Sequence, residues 1–446
     1  MHNAMQKEQV IEYVERFSTY VNDIETFLDS YALGDKFRQQ PDQIPAILNG
    51  EAATALNSII PAKIRKKAGI FFTGHELSEK VAVRISHLIQ SGQTIIDPAC
   101  GAGNLLMSCA KYLPIGKNVN ETLEVWSDRL FGYDLYQQFV QATRLRLILL
   151  AAGLHKQEDV RLALPNQHSV LKGIQVGNIF GKTSQTAQTG CVVVNPPFGH
   201  VKAPENCQWA NGNVQIAGLF FEKIIKAASR GRNIVAILPD VLRSGTRYKK
   251  WREMVSGLSD SMDIELVGRF DKNTDVDVFI LHIVASGTKN DTSRWPEAGV
   301  HDDIERCTIS DLFDVHVGPV VPYRDPQIGK LHSYVDCSTA APWAIVSDAP
   351  KRRFKGRIFV PPFVVIRRTS NPADKYRAVA SIINTRLPIA VENHLIVLKP
   401  KDNTLEKCQA LVLRLKDDKT NKWLNSRIRC RHLTVSAIKE LPWWDL

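Results

Sequence analysis

Residues 94–110 read TIIDPACGAGNLLMSCA, and this stretch decides the fold. The apolar run before Asp97 suits a short strand, Gly101 and Gly103 permit a tight turn, and the residues from Asn104 suit a helix. Such a turn brings backbone amides to the helix start and leaves room for a cofactor against the backbone, although a glycine turn alone serves structure equally well. Working outward, strand-like runs follow at residues 124–135 (EVWSDRLFGYDL), 190–199 (GCVVVNPPFG) and 231–242 (GRNIVAILPDVL). The helix-like stretches YQQFVQATRLRLILLAAG (136–153) and LFFEKIIKAASR (219–230) alternate with them, Phe220 and Phe221 being core candidates. Strands separated by helices at this spacing imply an α/β fold with a mainly parallel sheet over about residues 70–285.

On the N-terminal side, EQVIEYVERFSTYVNDIETFL (8–28) repeats apolar residues every three or four positions, so residues 1–68 are expected as a helical segment. The catalytic candidate spans 69–285. From 286 the pattern loosens, beginning SGTKNDTSRWPEAG, and residues 286–446 are expected as a second, α/β or mixed domain. The 446 residues include 57 Lys and Arg against 46 Asp and Glu, a formal charge of +11. Residues 341–446 alone hold 21 basic against 9 acidic residues, so the excess is concentrated there. Lys351, Arg352, Arg353, Lys355 and Arg357 form one basic cluster and Arg367 and Arg368 another. They suit phosphate contacts or a merely solvated face.

With 44% hydrophobic residues the chain supports sizeable cores, which excludes a small disulfide module. Its 8 Cys are dispersed without a CxxC pair, favouring neither a disulfide framework nor a zinc ribbon, so metal-free chemistry is expected. No signal-like start or membrane-length apolar run is present, so a soluble cytoplasmic protein without membrane contact is expected.

Three features carry chemistry. Asp134, closing GYDL, suits ribose hydroxyls at a strand end or a helix cap. CGAGNL departs from the dinucleotide pattern GxGxxG, which disfavours hydride transfer. In Asn195–Pro196–Pro197–Phe198, the prolines restrict the backbone and present the Asn195 amide oxygen and Pro196 carbonyl as acceptors for an exocyclic amine. Phe198 offers a flat face to a base. Cys100, inside the glycine turn, has no His partner in the pattern and is expected to pack.

With DPACGAG and NPPF at this separation, the chain resembles the amino-methylating DNA methyltransferases, specifically N6-adenine enzymes of the gamma motif order. The resemblance covers about residues 70–285 and implies an S-adenosylmethionine-dependent fold. It implies cofactor contacts by Phe72, Thr73, Asp97, Ala99, Gly101, Gly103, Asp134, Leu135 and Asn195, with Asn178 in VGNIF where the family commonly has an acid. It assigns Asn195, Pro196, Pro197 and Phe198 to catalysis, with Phe198 and Phe270 stacking on a flipped adenine. It further implies double-stranded DNA as substrate, a target-recognition role for about residues 300–446, and a prokaryotic restriction-modification setting. A restriction or specificity subunit could dock on the N-terminal helices; no PDxxK-type nuclease centre accompanies the methylation motifs. Protein-glutamine methylation, RNA methylation and a non-catalytic DNA-binding subunit are the alternatives.

Overall fold

The computed structural model describes residues 2–32, 46–155, 170–178, 190–271, 274, 276–288, 295 and 307–444. The chain divides into two compact units, Met1–Arg243 with Arg247–Pro296, and Ser244–Thr246 with Glu297–Leu446. The N-terminal helices therefore belong to the same unit as the central sheet. The loosened pattern that begins at residue 286 falls largely outside the described residues.

The periodic run 8–28 does not form one helix. It breaks at Arg16 and Phe17 into α1 (His2–Glu15) and α2 (Ser18–Ala32). Val14, Phe17, Val21, Ile24 and Leu28 are all buried, a spacing of three and four that lays one stripe on the core. An irregular turn, Ile47–Glu51, leads into α3 (Ala52–Ile59) and α4 (Ala62–Ala68).

The sheet of this unit runs β3-β2-β1-β4-β7-β9-β8. Its strands are β1 (Ile95–Asp97), β2 (Leu130–Asp134), β3 (Ile174–Val176), β4 (Cys191–Val194), β7 (Asn233–Pro239), β8 (Ser259–Arg269) and β9 (Asp277–Ala285). The first five neighbours pair in parallel, and β9 and β8 close the edge antiparallel. A small pair, β5 (His200–Lys202) with β6 (Asn213–Gln215), follows the NPPF run. Helices α5 (His75–Gln90), α6 (Asn104–Ala110), α7 (Val119–Ser127), α8 (Gln137–Gly153), α9 (Ile216–Ala227) and α10 (Lys249–Gly257) are the longer helices around the sheet, with a short one at Asp240–Ser244. Every residue of β1 and β4 is buried, as expected of parallel strands covered on both faces. The expected strand at 124–135 is only half strand, because Glu124–Ser127 belong to α7. There the Asn118 side chain caps the helix by accepting from the Glu121 amide, and Leu123 and Trp126 bury one face.

The second unit pairs a five-stranded sheet, β10-β17-β14-β15-β12, with a three-stranded one, β13-β11-β16. Their ranges are β10 (Phe313–Val317), β11 (Lys330–Val335), β12 (Ile345–Val346), β13 (Lys351–Phe354), β14 (Phe363–Arg367), β15 (Ala380–Ile383), β16 (Ile389–Val391) and β17 (Leu395–Pro400). Alternation along β14 separates two cores. Val364 and Ile366 pack with Leu411 and Leu415 of α11 (Leu405–Lys416), whereas Phe363 and Val365 pack with Val335, Ile389 and Val391. Helices α12 (Asp418–Arg427) and α13 (Val435–Lys439) finish the unit.

Leu106 of α6 is fully buried, and a Cβ placed on Gly132 would lie 2.9 Å from its Cδ1. Leu106→Ala is expected to cost roughly 3 kcal/mol, read as a lowered urea midpoint; a loss below about 1 kcal/mol would mean that this contact closes over.

Candidate active site

Strand order reverses between β1, which neighbours β2 on one side and β4 on the other, so the crevice at these carboxyl ends is a topological switch point. The pairing Ile95 with Cys191 and Ile96 with Val192 places Asp97 and Asn195 at the same sheet edge. Gly101 (φ 53°) and Gly103 (φ 85°) adopt left-handed conformations. A Cβ on Gly103 would meet Thr143 Cγ2 at 2.7 Å, and one on Gly101 would meet the Phe72 ring at 3.0 Å. The turn is gripped from neighbouring elements. Thr143 Oγ1 donates to the Gly101 carbonyl at 2.8 Å, and the Gly101 amide donates to Asp134 Oδ2 at 3.0 Å.

Asp134 Oδ1 also accepts from the Tyr136 amide at 3.1 Å, so the carboxylate braces both β-strand ends and the turn while keeping further lone pairs. Burial raises the Asp134 carboxyl to about 6 against the pull of the Tyr136 and Gly101 amides. Burial lifts Asp97 to about 8; the Ala99 amide, which donates to Asp97 Oδ1 at 3.0 Å, opposes this, and the Asp134 charge adds to it. These acids suit a ligand that brings positive charge or hydroxyl donors. Leu135, 65% exposed, and Asn178, exposed just beyond β3, stand at the same edge, with the Gly177 amide donating to the Asp134 carbonyl at 2.8 Å. Cys100 is buried, and burial holds its thiol well above the usual range, which fits packing and not attack.

The Asn195 amide is set by its two N–H donors. Nδ2 donates to Thr73 Oγ1 at 3.0 Å and to the Phe71 carbonyl at 3.4 Å. The reverse orientation would set Oδ1 against that carbonyl, acceptor against acceptor. Oδ1 is buried and accepts no hydrogen bond among the described residues. An orphaned buried acceptor costs about 1–3 kcal/mol, which a ligand N–H would recover. Pro196 is buried beside it and Pro197 half-buried.

Phe198 and Phe270, 3% and 7% exposed, meet edge to face with centroids 5.2 Å apart. Both rings stand at the carboxyl edge of the sheet and contact each other directly. Phe71 completes the cluster, 5.7 Å from Phe198 and 6.4 Å from Phe270. Sequence reasoning took Phe72 and passed over Phe71. In an extended stretch the two side chains point to opposite sides: Phe72 turns to the glycine turn, Phe17 and Phe139, while Phe71 turns to the NPPF run. Gly69 was also missed. At φ 70° it lies so close that a Cβ would sit 2.6 Å from the Phe198 carbonyl oxygen. The local signal was a glycine two residues before an aromatic pair.

In the second unit, the basic residues divide into two kinds. Lys351, Arg353 and Lys355 are exposed, although Arg353 also donates to the Gly329 carbonyl at 3.0 Å. Alternation along β13 turns Arg352 inward, where it donates to the Asp325 carbonyl at 2.9 Å and lies over the Tyr334 ring. Arg357 is exposed, stacked 4.9 Å from the Phe359 centroid and bonded to His316. Arg367 donates to the Cys337 carbonyl at 3.2 Å, and Arg367 and Arg368 are half-buried. Among the described residues there is no cluster of three or more metal-ligating side chains and no helix long and apolar enough to cross a membrane.

No curated protein matches the chain. The type IIL restriction-modification enzyme MmeI, solved in complex with DNA, resembles it with a TM-score of 0.52 at 13% identity, covering 87% of this chain and 70% of that one. The likeness is one of fold. The type IIG restriction endonuclease BpuSI gives 0.46 at 14% identity, covering 88% of this chain. A modification subunit of a type I restriction enzyme from Vibrio vulnificus gives 0.35 at 18% identity, covering 51% of this chain. The chain spans 60% of the BpuSI structure and 47% of the Vibrio one. The family pattern described as N-6 DNA Methylase matches residues 58–284, which hold the glycine turn, Asp134, the NPPF run and Phe270. Spanning half of the sequence and all of these residues, that match identifies the chain as a member of the N-6 DNA methylase family.

Proposed function

We propose that the chain transfers a methyl group from S-adenosylmethionine to adenine N6 in double-stranded DNA, as the modification component of a restriction-modification system. The observation that carries this reading is the Asn195 amide, whose donors are both engaged within the protein while Oδ1 is left as a buried acceptor. An aromatic amine needs such acceptors, because its lone pair is nucleophilic only when drawn out of conjugation with the ring.

The residues present fit the cofactor. A buried carboxyl, Asp97, and a half-buried one, Asp134, both with raised pKa values, suit a ligand bearing a sulfonium and an ammonium, and the glycine turn leaves no side chain in the way. Asp97, Ala99, Gly101, Gly103 and Thr73 would line its methionine end, Asp134 its ribose, and Asn178, Leu135 and Phe72 the remainder. The cofactor supplies a methyl group activated by the adjacent sulfonium. Asn195 Oδ1 and the Pro196 carbonyl accept the two N–H groups of N6, with Pro197 stiffening this ledge. Phe198 and Phe270 separate to hold the base face and edge, at the expense of their mutual contact. With the amine so held, displacement in line at the cofactor's methyl carbon would form the N–C bond as the C–S bond breaks, the sulfur keeping the electron pair and N6 giving its proton to water.

Reaching N6 in this way requires extrusion of the base, at a cost of a few kcal/mol. Lys351, Arg353, Lys355 and Arg357, with half-buried Arg368, offset part of it by meeting phosphates, whereas Arg352 and Arg367 are bonded to main-chain carbonyls of the second unit.

Labelled methyl transfer into varied unmethylated DNA, with nucleosides identified by mass, tests the reading. N6-methyladenine is the expected product; label entering only RNA or protein overturns it. Asn195→Ala should lower the rate roughly 100-fold or more while leaving DNA retention unchanged. Replacing Lys351, Arg353 and Lys355 with alanine should weaken DNA binding and flatten its salt dependence by about 0.9 per lost phosphate contact; intact affinity and slope would remove this face from the DNA surface. A further test is pH. Unfolded aspartates lose their protons near pH 4, but folded Asp134 and Asp97 hold theirs to about 6 and about 8, so ligand-free stability falls as pH rises through that window. A cationic cofactor reverses the penalty. The Tm gain on adding S-adenosylmethionine should therefore grow from pH 6 to pH 8.5, and a flat gain would contradict charge pairing by these acids.

A further inference from the structure

We infer that Arg146 is a positioning residue that couples seating of the Ile47–Glu51 strap to the shape of the cofactor turn; this rests on the reading of that turn as the S-adenosylmethionine site. Arg146 lies mid-way along α8 and is fully buried. Burial lowers its pKa, and Glu51, at the end of the strap, attracts it from beyond ion-pair distance. Its guanidinium is held by oxygen acceptors on two sides. Nε donates to the Ile47 carbonyl at 3.1 Å and one terminal nitrogen to the Leu48 carbonyl at 3.0 Å. The other terminal nitrogen donates to the Ala102 carbonyl, inside the glycine turn, and to Asn104 Oδ1 at 2.6 Å.

The planar fork thus spans strap and turn at once, which a lysine ammonium on its single point cannot do. If the strap lifted, two N–H groups of a buried cation would lose their acceptors, a costly state that the side chain escapes only by moving. Movement would release Ala102 and Asn104. The Asn104 amide donates to the Thr73 carbonyl, and Thr73 Oγ1 accepts from Asn195, so the same disturbance reaches the reactive amide. The strap is suited to two states. It contains Gly50 at φ +150°, and a cavity of about 210 Å³ lies against Leu48 and Asn49, walled by Met107 and Leu150. Ile47 is buried in the core and anchors one end of the strap, whereas the Leu48–Asn49 side borders the cavity and is seated by the Arg146 bonds.

Coupling is reciprocal: a cofactor that prefers the ordered turn must also favour the seated strap. The experiment combines calorimetric titration of the full chain with S-adenosylmethionine and amide exchange of residues 47–52. In the parent, the cofactor should slow exchange at the strap by about fivefold or more. Gly50→Ala disturbs the strap through its backbone alone, since an added Cβ meets nothing within 4 Å; it should raise the Kd about tenfold. Arg146→Gln should do the same, Arg146→Lys should not restore affinity, and the Gly50→Ala/Arg146→Gln double variant should be no weaker than either single one. Should Arg146→Gln fail to fold, Gly50→Ala and exchange in the parent decide the matter. Parent binding with an unprotected strap and an unchanged Kd in Gly50→Ala overturns the coupling. A parent that binds no S-adenosylmethionine overturns the cofactor reading, and the coupling with it.

Discussion

The parallel pairing of β1 with β4 is the constraint on which the site depends. Two chain segments almost a hundred residues apart end at one sheet edge, and because the strand order reverses there, no crossover helix fills the crevice. Asp97 and the glycine turn leave one strand, and Asn195 leaves the other. Neither motif would form a site alone. The turn would be a strand–helix connection and the NPPF run a stiff loop. The adjacency is paid for by burial, since both strands lie wholly inside the core, and that same burial takes the polar groups at their ends out of water.

Those groups leave the ligand-free site electrostatically unfinished. Burial pushes two carboxyls above their ordinary range, and the Asn195 amide oxygen accepts no hydrogen bond among the described residues. Thr143, Asp134 and Arg146 each hold a different atom of the glycine turn, and Thr73 and the Phe71 carbonyl hold the Asn195 amide. Geometry is fixed in advance while charge and hydrogen bonds await a partner, the arrangement that lets binding energy act on a reacting group without reorganising the protein. The aromatic cluster is the exception. Phe198 and Phe270 already satisfy each other edge to face, so a flat ligand between them, as proposed, would require the rings to part.

The second unit shows why charge counts overstate a binding surface. Strand alternation sends Lys351 and Arg353 outward and Arg352 inward, where a main-chain acceptor and the Tyr334 ring occupy it. Arg367 is likewise committed to a carbonyl. A run of adjacent basic residues on a strand therefore supplies about half its charges to one face.

The strand, turn and helix at 94–110, the alternation of elements around the sheet, and the polar residues at strand ends were legible because each depends on local spacing: apolar runs, left-handed glycines and restricted proline backbones report themselves within a few residues. Residues 124–127, the last turn of the helix 119–127, were misread as strand because its cap, Asn118, lies outside the apolar run that was weighed. Phe71 and Arg146 were not legible as site residues, and Gly69 only by its place before an aromatic pair. In sequence they are an aromatic in an apolar stretch, an ordinary helix stop and a helix cation; their meaning comes from the Phe198 carbonyl, the Phe198 ring and the Ala102 carbonyl, which lie tens to more than a hundred positions away. By itself the sequence determined which elements form and which chemical groups stand at their ends. Only the tertiary structure decided that the Asn195 amide oxygen has no donor among the described residues, which arginines are spent inside the fold and which ring faces the site, because each depends on what long-range packing brings within hydrogen-bonding or van der Waals reach.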